Sequence, residues 1–503
     1  MRQAQGTSIP APIGGWNSRD AVDMMGPADA IVLDNYFPDE NEVRLRKGSA
    51  SHATGLTHDV ESLMSYKSGA SSKLFAATTG GNIYDVTSAG SVGSAAVSSL
   101  SNGQFQYVNF GTSGGNFLWI CNGADSPRHY NGTSWATPSI SGVTGSTIVN
   151  VTVHKTRLFF VFVNSLKFGY LPVASVAGTV ATFDLASIAA KGGTLTAIGT
   201  WTRDGGDGSD DLAVFLTSEG EAIVYAGTNP GSADAWNLVG VFNIGRPIGR
   251  RCVEKVGADL IVTTENGFLP LSKVLPLGLS APSAAISDKI SGSVKEAARN
   301  FKSTFGWQSV LYPKGGYGLF NVPNSTVRDY HQYVVNLTTG SWCRFTGMNG
   351  NAWAVHEGEL YFGGAGVVYR GDTGTNDVGA AIEGSGKTSF QYFGGRGVLK
   401  QFTLIRPIIA SDGALPVSIG FDVDFKDGTA IFTPSSVTSE GAEWDEATWD
   451  VDAWATGSEP IQTWRSVTGI GYNAAIRIRT STTNQGVTWH AVDVQYKNGT
   501  GLR

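Results

Sequence analysis

The sequence predicts an all-β protein: a β-propeller of about six or seven blades with an inserted helix, and N- and C-terminal segments that form a β-sandwich-like platform. Three observations predict it. The 503-residue chain holds 66 Gly alongside 13 Trp, 16 Tyr and 24 Phe. Glycine supplies positive-φ turns between short strands, and the aromatics supply the core material that a disordered Gly-rich chain lacks. Next, between residues 60 and 377 a unit recurs: an apolar strand, a Gly- or Asn-containing turn, then a strand with an aromatic. Its anchor leucines, Leu74, Leu118, Leu158, Leu212, Leu260, Leu319 and Leu360, fall roughly every 40–60 residues, near the length of a four-stranded blade. Radial closure also leaves few exposed strand edges. Last, beyond the polar run at residues 371–377 the text turns to long alternating strands, the pattern of a sandwich.

In order, residues 1–59 read as an N-terminal docking segment with one short helix. Pro27 suits a first helical position, Ala30, Leu33 and Asp34 follow at helical spacing, and Asn35 with Pro38 ends the run. Val43 and Leu45 alternate with Arg44 and Arg46 as in a strand. The repeats fill residues 60–377. They are interrupted at about 283–302 by a helix with Ile290, Val294, Ala298 and Phe301 near one face; its Gly292 costs about 1 kcal/mol relative to Ala, so a partner surface must support it. Residues 378–503 form the C-terminal sandwich, with Trp444, Trp449 and Trp454 in a loop between its strands.

Net charge is −6 and the pI is near 5.7, which argues against broad nucleic-acid binding, since that needs a basic footprint. Cys121, Cys252 and Cys343 sit singly in apolar patterns and read as buried thiols of a chain made in a reducing compartment. The N-terminus shows no signal-peptide core, and no window is apolar enough to span a membrane. No cofactor fingerprint or nucleophile motif appears, and the seven histidines are scattered. The candidate metal ligands are Asp204, Asp207, Asp210 and Asp211, hard oxygens on a glycine-rich loop of the sort Ca²⁺ prefers; their spacing does not match the EF-hand pattern and its bidentate Glu is missing, which favours a solvated hairpin before the strand at residues 212–216. Glu440, Glu443, Asp445 and Glu446 offer carboxylates for glycoside chemistry, yet their interleaved tryptophans fit a packed loop. Arg250-Arg251 and the Arg44, Arg46, Lys47 group are the tight basic clusters, suited to a phosphate, an acidic neighbour, or the protection of strand edges.

Two stretches carry a resemblance. Ala11-Pro-Ile-Gly-Gly-Trp-Asn-Ser-Arg-Asp-Ala, then Ala28-Asp-Ala-x-x-Leu-Asp-Asn-Tyr-Phe-Pro and Val43-Arg-Leu-Arg-Lys-Gly, resemble the start of the tail nozzle (tail tubular protein B) proteins of short-tailed bacteriophages, the podoviruses. Asp422-Val-Asp-Phe, the Trp-Asp pairs at Trp444 and Trp449, and Thr488-Trp-His-Ala resemble the ends of such proteins. The resemblance implies a structural virion protein without catalytic residues. It implies a homo-hexameric ring at the distal end of the tail, made in the host cytoplasm. That ring binds the adaptor or gatekeeper above, anchors fibres or receptor-binding proteins, and encloses the channel through which viral DNA leaves. Gly14, Gly15, Trp16, Asn17 and Arg19, with Arg44 and Arg46, are the expected interface, and Leu33, Asp34, Asn35, Tyr36 and Phe37 its structural core. Trp16 and Phe37 are expected to be buried. The alternative is a carbohydrate-binding or glycan-cleaving propeller that recognises host surface polysaccharide. Against it, the turns Asn131-Gly-Thr-Ser-Trp and Thr339-Gly-Ser-Trp lack the Asp of sialidase-type repeats.

Overall fold

The computed structural model describes residues 4–69, 71–204, 209–277, 285–412, 417–427, 431–432 and 464–499. The chain divides into two compact units. One comprises residues 51–331 and 349–371; the other comprises residues 1–50, 332–348 and 372–503. These bounds correct the three-part division read from the sequence. Residues 332–348 leave the repeats and join the platform, which residues 1–50 form together with the C-terminal strands, as expected.

The first unit is a propeller, and its described strands make seven blades. The innermost strands follow one another round the axis: the second half of Ser49–Lys67, then Gln106–Thr112, Ile148–His154, Leu195–Asp204, Val253–Val256, Gln308–Tyr312 and Ala352–His356. Each pairs antiparallel with the strand that follows it. All seven anchor leucines lie on that second strand, and all are buried. The spacing detected in the sequence is therefore the blade repeat itself.

Closure comes from the 19-residue strand Ser49–Lys67. It belongs to the sheet of Ala352–His356, Glu359–Gly363 and Ala365–Gly371, and its later residues pair with Ser72–Thr78 in the first blade. Positive-φ Gly55 and His58 both precede the pairing with Ser72–Thr78, which begins at Val60. The hydrophobic core lies between blades rather than within them. Leu63, Leu74 and Ala76 of the first blade pack with Ala352 and Ala354 of the seventh. Phe110 and Trp119 pack with Leu158 and Phe160, and Phe159 and Phe168 with Phe215 and Tyr225. The expected helix is present as Ser291–Phe301, preceded by a 3-10 turn, with Ile290, Val294 and Ala298 buried and Phe301 only partly so. It contacts the strands Gly267–Pro270 and Tyr317–Pro323, the support that its glycine calls for. Leu271–Leu277 is also helical.

The second unit is the platform, a sandwich of two sheets. One sheet runs Arg465–Gly471, Lys400–Ser411, Val487–Asn498, Val43–Leu45, Tyr36–Pro38, and the strand Gln5–Pro10 also pairs with Val487–Asn498. In the other, Trp342–Phe345, Asp29–Asp34, Ile382–Thr388, Ala474–Thr482 and Val417–Val423 lie side by side. The inner faces meet through Phe402 and Phe421, with ring centroids 4.9 Å apart, and through Trp489 above Gly386, where a Cβ would lie 3.0 Å from the indole.

The helix expected over residues 27–35 is not formed: Asp29–Asp34 is a strand. It is a central strand, flanked by Trp342–Phe345 and Ile382–Thr388, so apolar residues on both faces are useful and helical periodicity is not required. β-branched Ile31 and Val32 favour that outcome.

Candidate functional site

The segment that carries the resemblance forms much of the inside of the platform. Trp16 and Phe37 are buried, as expected. Trp16 meets Tyr333 edge-on at 5.3 Å and lies beneath the Arg344 guanidinium, while Phe37 packs against Phe345. Their partners thus lie in residues 332–348. Asn17 is buried; its amide donates to Asp20 (2.9 Å) and Asp29 (2.8 Å), and its side-chain oxygen accepts from the backbone N–H groups of Arg19 and Asp20. Gly15 has φ +82°, and a Cβ there would lie 2.6 Å from the Trp342 backbone. Gly14 is equally confined by Ala28 and Asp29.

Asn35 is the hub. It takes φ +59°, a region asparagine tolerates better than most residues. Its side-chain oxygen accepts from Arg46 Nε and Thr346 N, both at 2.8 Å, and its amide donates to Thr346 Oγ1 and Glu383 O. Arg46 was expected to face outward with Arg44. It lies instead just past the end of Val43–Leu45 and turns inward, where it donates to Lys47 O, Thr346 O and the Asp377 carboxylate. Tyr36 is fully buried and hydrogen-bonded to Thr480, and burial pushes its hydroxyl pKa upward. Trp16, Asn17 and Arg46 are therefore spent inside the chain. Of the expected interface side chains, Arg19, paired with Asp20, and Arg44, paired with Asp39 at 3.1 Å, are at the surface.

The acidic loop is placed less fully. Asp207 lies outside the described residues, as do the side chains of Asp204 and Asp210 and the whole cluster from Glu440 to Glu446 with its tryptophans. Asp211 accepts a hydrogen bond from Thr202 at 2.7 Å and lies 3.7 Å from Lys155 Nζ. Among the described residues no group of three His, Cys, Asp or Glu side chains is arranged to hold a metal. The cysteines are buried free thiols whose pKa values are pushed up by burial, Cys252 to about 12. At both glycine-tryptophan turns an asparagine caps the turn: Asn131 accepts from Thr133 and Ser134, and Asn336 from Thr338 and Thr339.

The sequence reading missed a cavity of about 710 Å³ on the propeller axis, lined by the inner strands of the first six blades. At one end Arg250 and Arg251, which precede Val253–Val256, reach across to other blades. Arg250 donates to Asn122 O at 3.1 Å and accepts through its carbonyl from Asn150. Arg251 donates to Glu61 O at 2.8 Å and Ser62 Oγ at 2.6 Å, and stacks on Phe305 at 4.8 Å. Burial draws its pKa down to about 10. At the other end Lys255 Nζ is 3.4 Å from Thr202 Oγ1, and Lys155 approaches Asp211. Glu254 lies on the wall between, with one hydrogen bond from Leu311 N, and burial pushes its carboxyl up to about 7. The adjacent Arg250-Arg251 pair was the one visible signal.

No protein-family model and no curated protein matches the chain. Solved structures similar to it include β-propellers. The WD40 propeller domain of Doa1 is 9% identical over 64% of this chain and 96% of that one, with a TM-score of 0.40. The propeller domain of Cps50 (Swd1) from Myceliophteria thermophila is 12% identical over 65% and 99%, with a TM-score of 0.42. The computationally designed Ika8 protein is 10% identical over 64% and 100%, with a TM-score of 0.38. At these scores the likeness carries no argument of its own, and the blades are assigned from the strand pairing of this chain. No described helix is long and apolar enough to cross a membrane.

Proposed function

We propose that this chain is a structural, non-enzymatic virion protein of a phage short tail. It is a nozzle subunit that forms a ring of six at the distal end of the tail, binds the adaptor or gatekeeper ring, anchors fibres and encloses the DNA ejection channel. The observation that carries the reading is the way the two resembling ends are built into each other. Gln5–Pro10 and Val43–Leu45 both pair with Val487–Asn498, and Asp29–Asp34 pairs with Ile382–Thr388. The motif residues are thus a scaffold for a rigid platform, as an assembly component needs. Arg19 and Arg44 remain at its surface to meet acidic groups of a neighbour.

DNA does not pass through the propeller in this reading. An axial cavity of about 710 Å³ is far too small for a duplex, and Arg250 and Arg251 bridge one end of it. The conducting channel lies between copies, and a chain of net charge −6 gives DNA little to hold. The glycan-cleaving alternative has less support, because the turns Asn131-Gly-Thr-Ser-Trp and Thr339-Gly-Ser-Trp lack the Asp of sialidase-type repeats. Negative-stain imaging of the purified chain mixed with its tail adaptor tests the proposal: six-fold rings are expected, and a chain that stays monomeric with every virion component overturns it.

A further inference from the structure

We propose that the axial cavity of the propeller is a binding site for a small multivalent oxyanion, held between the Arg250-Arg251 floor and the Lys155 and Lys255 mouth. Four features carry this. The cavity, about 710 Å³, has the size of a small-molecule site, for which roughly 300–1,000 Å³ is usual.

Its charge opposes that of the chain. The four cations on its lining face two carboxyls, Asp211 and Glu254, inside a molecule whose net charge is −6. The carboxyls compensate weakly: Asp211 is hydrogen-bonded to Thr202 and sits 3.7 Å from Lys155, and Glu254 lies on the wall with one hydrogen bond, from Leu311 N, its carboxyl pushed up to about 7 by burial.

The guanidinium groups are anchored by neutral oxygens. Arg250 uses one N–H, on Asn122 O, and Arg251 binds carbonyls, Ser62 and, at 3.4 Å, Gln308. Neither has a carboxylate within ion-pair distance among the described residues. Such positive charge at a water-poor floor attracts an anion more strongly than the same charge on an open surface.

The mouth is shaped at some cost. Lys155 and Thr156 form a hairpin tip with φ of +43° and +59°, where Asn and Gly are the usual residues. Strain of this kind collects where a side chain has a task beyond folding.

The test is calorimetric titration of the full chain with inorganic pyrophosphate, at low salt and at about 0.3 M NaCl. Saturable binding of one pyrophosphate per chain is expected, weakening with salt. The Lys155→Gln/Lys255→Gln double variant is expected to bind at least tenfold more weakly with an unchanged melting temperature, since both lysines lie at the mouth. Each single variant is expected to fall between. Lys167→Gln, which removes a lysine outside the cavity, is expected to bind as the parent does. No saturable binding at millimolar pyrophosphate, or undiminished binding by the double variant, overturns the proposal.

Discussion

At the scale of single residues, Arg46 and Asn35 show how a motif can be specific without being a contact site. Arg46 is 5% exposed and its charge is met by Asp377, so removing it strands a carboxylate in the platform. Arg46→Met is expected to destabilise the platform by about 3 kcal/mol, read as a shift in its denaturant midpoint; an unchanged midpoint would mean that Asp377 is adequately hydrated without it. Gly15→Ala forces a side chain into positive φ against the Trp342 backbone, and a loss of at least about 1 kcal/mol is expected by the same measurement. Glu254 supplies a pH dependence. Its carboxyl is raised from 4.5 to about 7 in the folded chain. Between those values the folded form keeps a proton that the unfolded form releases, so stability falls as pH rises through the window, by at most about 3 kcal/mol. Glu254→Gln abolishes that fall. Its melting temperature relative to the parent should be higher at pH 8 than at pH 5, and an equal difference at both pH values would assign the stability profile to other groups. None of these roles was legible in the sequence. Arg44 and Arg46 are both arginines of one alternating run, and what separates them is Asp377, more than 300 residues away along the chain.

At the scale of elements, the blade repeat was legible because each blade places one leucine at the same structural position. Leu118, fully buried on the second strand of the second blade, represents the set. Leu118→Ala is expected to cost about 2–5 kcal/mol, whereas Leu337→Ala, at a position 46% exposed, should stay within about 0.5 kcal/mol; comparable losses at both positions would undo the assignment. The strand Asp29–Asp34 was misread because a short apolar run between turn residues satisfies helix and buried-strand patterns alike. Only its neighbours on both sides decide the matter, and they come from residues 342–345 and 382–388. The same limit hid residues 332–348: Tyr333 and Trp342 look like one more aromatic repeat, and their place is fixed by Trp16 and the Ile13 carbonyl, which accepts from Ser341.

At the scale of the whole molecule, the axial cavity could not be seen in the sequence, because its walls come from residues spread between Leu63 and Ser309 that only ring closure brings together. The platform follows a similar logic, being assembled from three separate stretches of chain. Deleting residues 1–48 removes the strands Gln5–Pro10, Asp29–Asp34, Tyr36–Pro38 and Val43–Leu45. Limited proteolysis is then expected to digest residues 372–499 much faster than the propeller; equal resistance in the truncated and full chains would show that the C-terminal strands stand alone. The pairing of Gln5–Pro10 with Val487–Asn498 also has a consequence for biosynthesis. The strand Gln5–Pro10 is synthesised before its partner Val487–Asn498 and waits for it. At about 5–20 residues per second, that wait is roughly half a minute to a minute and a half. Through all of it the nascent platform shows unpaired strand edges, the kind of surface that invites aggregation until Val487–Asn498 is made.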